Sequence, residues 1–376
     1  MLQIEKISQT VLYENPEPNL FSRHGYFPGV VKLNSGKLLC LFVMGQAFES
    51  ADQTTWIAAS TDNGQTWQLQ GPVYDKSVLG TTTSDCMKPT LMQDGRLIAI
   101  GYRFDRSNPD CKLVNIQTGG LRSAEVIVSF SDDEGGKWSI PKPISLPRSA
   151  SLEISGPCIQ LHNGNLLAGG SPFPLWDGTN PRGNNGVLLQ SIDKGQTWND
   201  DVSYFKSKSG TVLPFETRFC QMSDGRIIAI VWAHDTSTGT NLPNQITVSN
   251  DCGQTWSAPI DTGILGQASS LIPLEGDYLL TIHAQREGKV GLYVRVVKLS
   301  GNKLDILREK NIWDKASSVN IGSYSDMSNS LRFGQPSLTK LSDNEFLAVH
   351  WAILDGQGKI MTHHLAVTNR YTIDNM

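Results

Sequence analysis

Four stretches of this sequence fit one eight-residue template, SxDxGxTW: STDNGQTW from Ser60, SDDEGGKW from Ser131, SIDKGQTW from Ser191 and SNDCGQTW from Ser249, with Lys137 replacing Thr in the second. A pattern that recurs at intervals of several tens of residues marks a chain built from one unit used repeatedly, each unit burying its apolar face against the next. Every copy follows an alternating or apolar run: WIAAS from Trp56, AEVIVSF from Ala124, GVLLQS from Gly186 and QITVS from Gln245. Such runs predict strands, which makes the motif a hairpin turn. In that turn Asp62, Asp132, Asp193 and Asp251 are expected to accept hydrogen bonds from turn amides, the glycine to take positive φ, and the Trp to pack beneath. The loop lacks the ligand density and closing Glu of an EF-hand calcium site.

A second repeat lies upstream of each turn: FPGVVKLNSGKLL from Phe27, CMKPTLMQDGRLI from Cys86, SGPCIQLHNGNLL from Ser155 and ETRFCQMSDGRII from Glu216. Weaker copies begin at Gln267 and Gln335, so there are six. Each reads as a strand, a tight turn and a returning apolar strand; with the later hairpin a unit has four strands, and radial repetition of such sheets is an all-β, six-bladed β-propeller. The last two hairpins are expected in LYVRVVKLSGNKLDILRE from Leu292 and IMTHHLAVTNRYTID from Ile360. The run from Gln3 to Tyr13 is a candidate closing strand for the sixth unit, and residues 1–376 read as one domain.

Composition narrows the function classes. Lys and Arg number 32 against 36 Asp and Glu, a formal charge of −4, so nothing sequence-wide favours nucleic acid or an anionic membrane as a partner. No apolar run is long enough to span a bilayer, and the opening MLQIEKISQT lacks the charged and apolar regions of a signal peptide, so a cytoplasmic location is expected, or export if a signal has been removed. The six cysteines are dispersed with no CxxC pair; reduced thiols are expected, and neither a metal nor a cofactor is called for.

In a propeller the starts of the innermost strands converge on the axis. Nine residues before the turn glycine, or its equivalent, stand Phe27, Cys86, Ser155, Glu216, Gln267 and Gln335; two residues on stand Gly29, Lys88, Pro157, Arg218, Ser269 and Ser337. A carboxylate, two cations and two amides on one face are unusual for a plain core. Glu216 with Arg218 is the sharpest feature, either a salt bridge stapling the channel or a carboxylate kept ionised by Arg218 or Lys88 for catalysis. Asp85 and Glu153, just upstream of inner strands, are further candidate acids, and His24 is a candidate acid or base. Trp176, Trp232, Trp351, Tyr102 and Tyr324 offer ring faces that could stack on a sugar, and Arg103, Arg286 and Arg332 offer cations.

The four turns on a six-unit β pattern resemble the Asp-boxes, or BNR repeats, of the sialidase superfamily. The resemblance spans essentially the whole chain. It implies a carbohydrate substrate and a catalytic Glu at the start of the fourth blade, which Glu216 matches. It also implies an acid on the loop before the first motif, where Asp52 stands in MGQAFESADQTTW. The departures are as informative: Tyr26, Phe27 and Pro28 replace the Arg-Ile-Pro that opens the sialidase first blade, Trp232 falls near the second arginine of the carboxylate-binding triad, and Gln335 near the tyrosine nucleophile. Sialidase activity itself is therefore not expected.

Three classes of function remain. One is a glycoside hydrolase acting on a sugar other than sialic acid, an acidic one included, with Glu216 paired to Asp52 or Glu153 and with Arg218, Lys88, Gln267, Gln335, Trp232 and Tyr26 around the substrate. Another is a polysaccharide lyase in which His24, Tyr102 or Tyr324 removes a proton beside a uronate carboxylate neutralised by Arg218 or Lys88. The third is a glycan-binding propeller without catalysis. Sugar identity, linkage and oligomeric state are not encoded in any of these motifs.

Overall fold

Strands form where the alternating runs predict them, and they assemble into six antiparallel sheets. In the computed structural model the residues described are 2–108, 110–148, 151–301, 303–316 and 331–369. Blade 1 runs outward from His24–Lys32 through Leu38–Gly45 and Thr54–Ser60 to Gln68–Pro72. Blade 2 begins with Thr83–Leu91, blade 4 with Val212–Gln221, blade 5 with Ser269–Pro273 and blade 6 with Phe333–Lys340. Neighbouring blades touch around the ring, and the inner strand of blade 6 touches that of blade 1. The result is a six-bladed propeller. Among the described residues no helix is long and apolar enough to cross a membrane.

Because each strand alternates its side chains between two faces, each blade presents an apolar face to either neighbour, and the core is distributed between blades. Leu39, Leu41 and Ile57 of blade 1 meet Met87, Leu97 and Ile127 of blade 2. Leu280, Val294 and Val296 of blade 5 likewise meet Phe346, Leu365 and Val367 of blade 6.

Closure differs in one respect from the expected hairpin at Ile360. Residues 360–369 of that segment lie in one long strand, Gln357–Asn369, the rest lying outside the described residues, and the fourth strand of blade 6 is the N-terminal Leu2–Tyr13, paired from Leu2↔Asn369 to Tyr13↔Ile360. Two chain ends thus share one sheet, which leaves no gap in the ring.

The SxDxGxTW turns are held by their own side chains. In the first, Asp62 accepts from the Thr66 N–H at 2.9 Å and the Thr66 hydroxyl at 2.5 Å, Ser60 Oγ accepts from the Gly64 N–H at 2.8 Å, and the Trp67 indole donates to Gly64 O at 3.1 Å. These bonds hold the exposed Asp62 carboxyl well below its usual range. The second copy corrects the expectation for Asp132: the accepting carboxylate is Asp133, which takes the Lys137 N–H at 2.8 Å, because Asp133 is the residue two before the positive-φ Gly135.

Three inner strands carry a bulge at the same register. One extra residue is inserted between Tyr26 and Gly29, between Phe215 and Arg218, and between Gly334 and Ser337. Phe27, Glu216 and Gln335 consequently take left-handed φ of 51°, 46° and 39°. Non-glycine residues pay a steric penalty there, and bulges of this kind re-aim a side chain. Blade 2 has no such bulge, its inner strand pairing continuously from Thr83 to Leu91.

Candidate active site

The three bulged residues point into one cavity at the axial end of the propeller, of ≈ 410 Å³, lined by Phe27, Glu216 and Gln335. Glu153 and Glu49 join them from blades 3 and 1, with Arg106 from the loop that follows the second strand of blade 2. The walls are apolar: Phe48, Phe104, Phe173, Phe215, Trp232 and Leu331 contribute, with Tyr102 beside them. Leu113, Val114, Ile116 and Leu121, from the loop after Asp105, complete one side. A short Val114↔Leu121 bridge shapes that loop, and it is tied to blade 3 by Leu121 N–H donating to Pro174 O at 3.0 Å and Thr118 Oγ1 to Trp176 O at 2.8 Å.

Local chain geometry brings Glu153 and Glu216 together. The inner strand of blade 3 is split into Leu152–Glu153 and Ile159–Gln160. Between them a Cβ at Gly156 would come within 2.6 Å of Thr217 O, and Pro157 has no N–H for a ladder. Glu153 therefore ends a short strand beside the blade 4 bulge, where the Glu216 N–H faces Glu153 Oε2 at 3.5 Å, a long, weak hydrogen bond. Burial, followed by the charge of Glu216, pushes the Glu153 carboxyl up to about 8. Glu49 is pushed up to about 7 by burial, with Arg106 acting in the opposite sense.

Glu216 Oε1 accepts from Gln335 Nε2 at 2.7 Å. Its other oxygen, the Gln335 carbonyl oxygen and Arg106 Nε are buried with no hydrogen-bond partner among the described residues. Each such group costs on the order of 1–3 kcal/mol in a folded protein. All three belong to residues that line one cavity, and buried groups left unpaired in a folded protein call for an explanation at that place.

Arg218 does not face this cavity. It is buried beneath, its Nη1 donating to the carbonyls of Glu216 at 3.2 Å and Thr217 at 3.0 Å and to Ser155 Oγ at 3.3 Å. Lys88 is buried under blade 1, donating to Phe27 O and contacting Cys86 Sγ at 3.3 Å. Both cations support the backbone of the bulges. Gln267 is also below the cavity lining, accepting from Arg286 Nη1 at 3.2 Å and donating to Glu287 at 3.1 Å. Arg286 donates to Phe333 O at 2.9 Å and lies 5.5 Å from the centre of the Trp232 ring; a Cβ at Gly334 would overlap its guanidinium. Trp232 lines the cavity with its indole N–H on Asn241 Oδ1 at 2.7 Å. Tyr26 packs edge-on against Trp351 and Phe48 behind the lining.

Three expected acid or base candidates stand elsewhere. Asp52 is exposed and closes its own loop, accepting from the Gln46 N–H at 3.2 Å and Ser50 Oγ at 2.5 Å; Glu49, in the same loop, is the carboxyl that lines the cavity. Asp85 is buried in a structural knot between blades 1 and 2, accepting from Thr55 N–H at 2.8 Å, Thr55 Oγ1 at 2.7 Å and the Tyr74 hydroxyl at 3.0 Å. His24 stitches blade 1 to blade 6, Nδ1 accepting from the Gly358 N–H at 2.9 Å, and burial lowers its pKa. Tyr324 lies outside the described residues. Among those residues no cluster of His, Cys, Asp or Glu is arranged to hold a metal ion.

Glu49 and Arg106 escaped the sequence reading because both sit on loops, where no strand period predicts which way a side chain faces. The apolar residues between Leu113 and Leu121, in a connection longer than a hairpin needs, were the available signal.

No protein-family model matches this chain, and no curated protein matches it in sequence. Solved structures do match in fold. A protein of unknown function from Dyadobacter fermentans superposes with a TM-score of 0.73 at 18% identity over 97% of this chain and 99% of its own. A Hadza microbial sialidase gives 0.67 at 15% identity over 91% of this chain and 65% of its own. A Penicillium chrysogenum α-L-arabinanase, solved with arabinobiose, gives 0.65 at 14% identity over 96% and 98%. The propeller is thus sialidase-like in architecture and shares its fold with glycoside hydrolases.

Proposed function

We propose that this protein is a glycoside hydrolase in which Glu153 donates a proton to the glycosidic oxygen and Glu216 acts ionised, as nucleophile or as the base that activates water. One observation carries the reading. Glu153 and Glu216 line one cavity, with Glu153 Oε2 3.5 Å from the Glu216 backbone nitrogen, and burial followed by the charge of Glu216 raises the Glu153 pKa. A carboxyl raised by burial and a neighbouring charge suits the acid role in a two-carboxyl glycosidase. The proton passes to the leaving oxygen as the bond from the sugar's anomeric carbon breaks, and water completes the exchange. The fold shared with the sialidase and the arabinanase supports a carbohydrate substrate. For the lyase reading the support is weaker, since Arg218 and Lys88, its proposed uronate partners, donate to backbone carbonyls below the cavity.

The test uses a panel of aryl glycosides with Glu153→Gln and Glu216→Gln. Both variants should stay folded and lose turnover by roughly 10²- to 10⁴-fold. An aryl leaving group of low pKa needs no proton, so it should restore much of the Glu153→Gln rate and none of the Glu216→Gln rate. Glu49→Gln serves as the comparison, because Glu49 is a second readily protonated carboxyl in the cavity. Full turnover per folded molecule in both Glu153→Gln and Glu216→Gln would reject the assignment.

A further inference from the structure

The cavity's unpartnered groups are of unequal kind. Glu216 Oε2 and Gln335 Oε1 are buried acceptors, both adjacent to the Glu216–Gln335 hydrogen bond, and Glu153 adds a carboxyl beside them. Acceptors of this sort are satisfied by hydroxyl donors. A ligand carboxylate has no proton to offer them, and beside Glu216 it would be repelled.

Cations that would reverse that preference are committed elsewhere. Arg218 and Lys88 donate to backbone carbonyls beneath the bulges, Arg286 to Phe333 O and Gln267, and Arg103 to Glu125 at 2.8 Å. None of the four lines the cavity. Arg106 and Lys112 do, but each is accompanied there by an acid. Arg106 donates to the Glu49 backbone at 3.1 Å and shares its surroundings with the Glu49 carboxyl, and Lys112 stands at the exposed rim with Asp110. Arg106 Nη1 is held by the Glu49 carbonyl, and the single charge of its guanidinium stands among the Glu49, Glu153 and Glu216 carboxyls of the same lining.

We infer that the sugar seated on the Glu216–Gln335 floor is uncharged, its hydroxyls donating to Glu216 Oε2 and Gln335 Oε1, and that uronic and sialic acids are excluded. This rests on the hydrolase reading for its chemistry but concerns recognition, which can be measured separately. The cavity of ≈ 410 Å³ lies within the roughly 300–1,000 Å³ typical of small-molecule sites.

Two measurements on the full chain decide the matter. Thermal shift and calorimetry with free monosaccharides compare each neutral hexose or pentose with the matching uronic acid, in wild type and in Gln335→Leu. Initial rates compare 4-nitrophenyl glycosides with the matching 4-nitrophenyl uronides. The expected result is binding of at least one neutral sugar, weakened about tenfold or more by Gln335→Leu, with kcat/KM on a neutral glycoside at least about a hundredfold above its uronide. Neutral sugars that bind without any glycoside being cleaved would uphold this inference and reject the hydrolase. Preference for a uronide or sialoside would overturn the inference and leave the hydrolase standing. Binding of neither class overturns both.

Discussion

Gln335 donates from Nε2 to Glu216 Oε1 at 2.7 Å, joining blade 6 to blade 4 above the inner strand of blade 5. Both residues sit on bulges at equivalent positions, so the backbone distortion in each blade aims one half of the pair. The amide occupies one carboxylate oxygen and leaves the other buried without a partner among the described residues. Removing that hydrogen bond with Gln335→Leu should cost about 1.5–3 kcal/mol of interaction with the charged carboxylate. Under the hydrolase reading kcat/KM should fall roughly 10- to 100-fold, more than the drop of about a few degrees in melting temperature accounts for. An unchanged rate would show that the orientation of Glu216 does not depend on Gln335.

The pH dependence follows from Glu153. Its carboxyl holds a proton up to about 8 when folded, against an ordinary value of 4.5. Between those values the unfolded chain binds fewer protons than the folded one, so this group's contribution to stability falls as pH rises from about 4.5 to about 8 and is level outside that window. Turnover that needs the Glu153 proton should decline above about pH 8. In Glu216→Gln the neighbouring charge is gone and the stability window should contract at its upper end. Melting curves across pH on wild type, Glu216→Gln and Glu153→Gln check this; a Glu153→Gln protein with the wild-type pH profile would contradict it.

Asp85 is predicted to matter for stability alone. It gathers Thr55, Thr54, Tyr74 and, at 3.7 Å, Lys76 at the seam of blades 1 and 2. Asp85→Ala would strand several buried donors and should cost roughly 3 to 5 kcal/mol. Denaturant melts measure the loss, and activity per folded molecule should persist because Asp85 does not line the cavity.

The tryptophans of the SxDxGxTW turns should differ in weight. Trp198 is 5% exposed and bonded to Gly195 O at 3.0 Å, whereas Trp67 is only partly buried. Trp198→Ala should cost on the order of 3 to 5 kcal/mol and Trp67→Ala less. Equal losses in chemical denaturation would mean that the turn's hydrogen bonds, rather than ring burial, set the contribution.

The architecture was legible because it rests on local rules repeated many times. Strand periods and tight turns recur in all six units and the SxDxGxTW spacing in four of them, so the blade count and the inner-strand register are legible in the sequence; Glu216 and Gln335 stand on that register, and Glu153 lies just upstream of it. Within a strand the period of two dictates which face a residue occupies, and errors arose where the period fails or where the partner of a side chain, as at Asp85 and Lys88, is set by a neighbouring blade. A shift of one residue in the second motif moved the turn carboxylate from Asp132 to Asp133. Arg218 and Lys88 were placed on the right strands, yet their long side chains bend to backbone carbonyls below the cavity.

What the sequence by itself determined is therefore the repeat, the six β units and the strands whose starts approach the axis. Only the tertiary structure decided which of those starts open onto a ligand. That choice depends on one extra residue in each of three strands, on Gly156 and Pro157 breaking the fourth neighbour's ladder, and on a loop that brings Glu49 to the cavity in place of Asp52. The physical reason is range: strand and turn preferences act over a few residues, whereas Glu153, Glu216 and Gln335 acquire their protonation and orientation from groups far away in sequence, whose burial and charge exist only once the ring is closed.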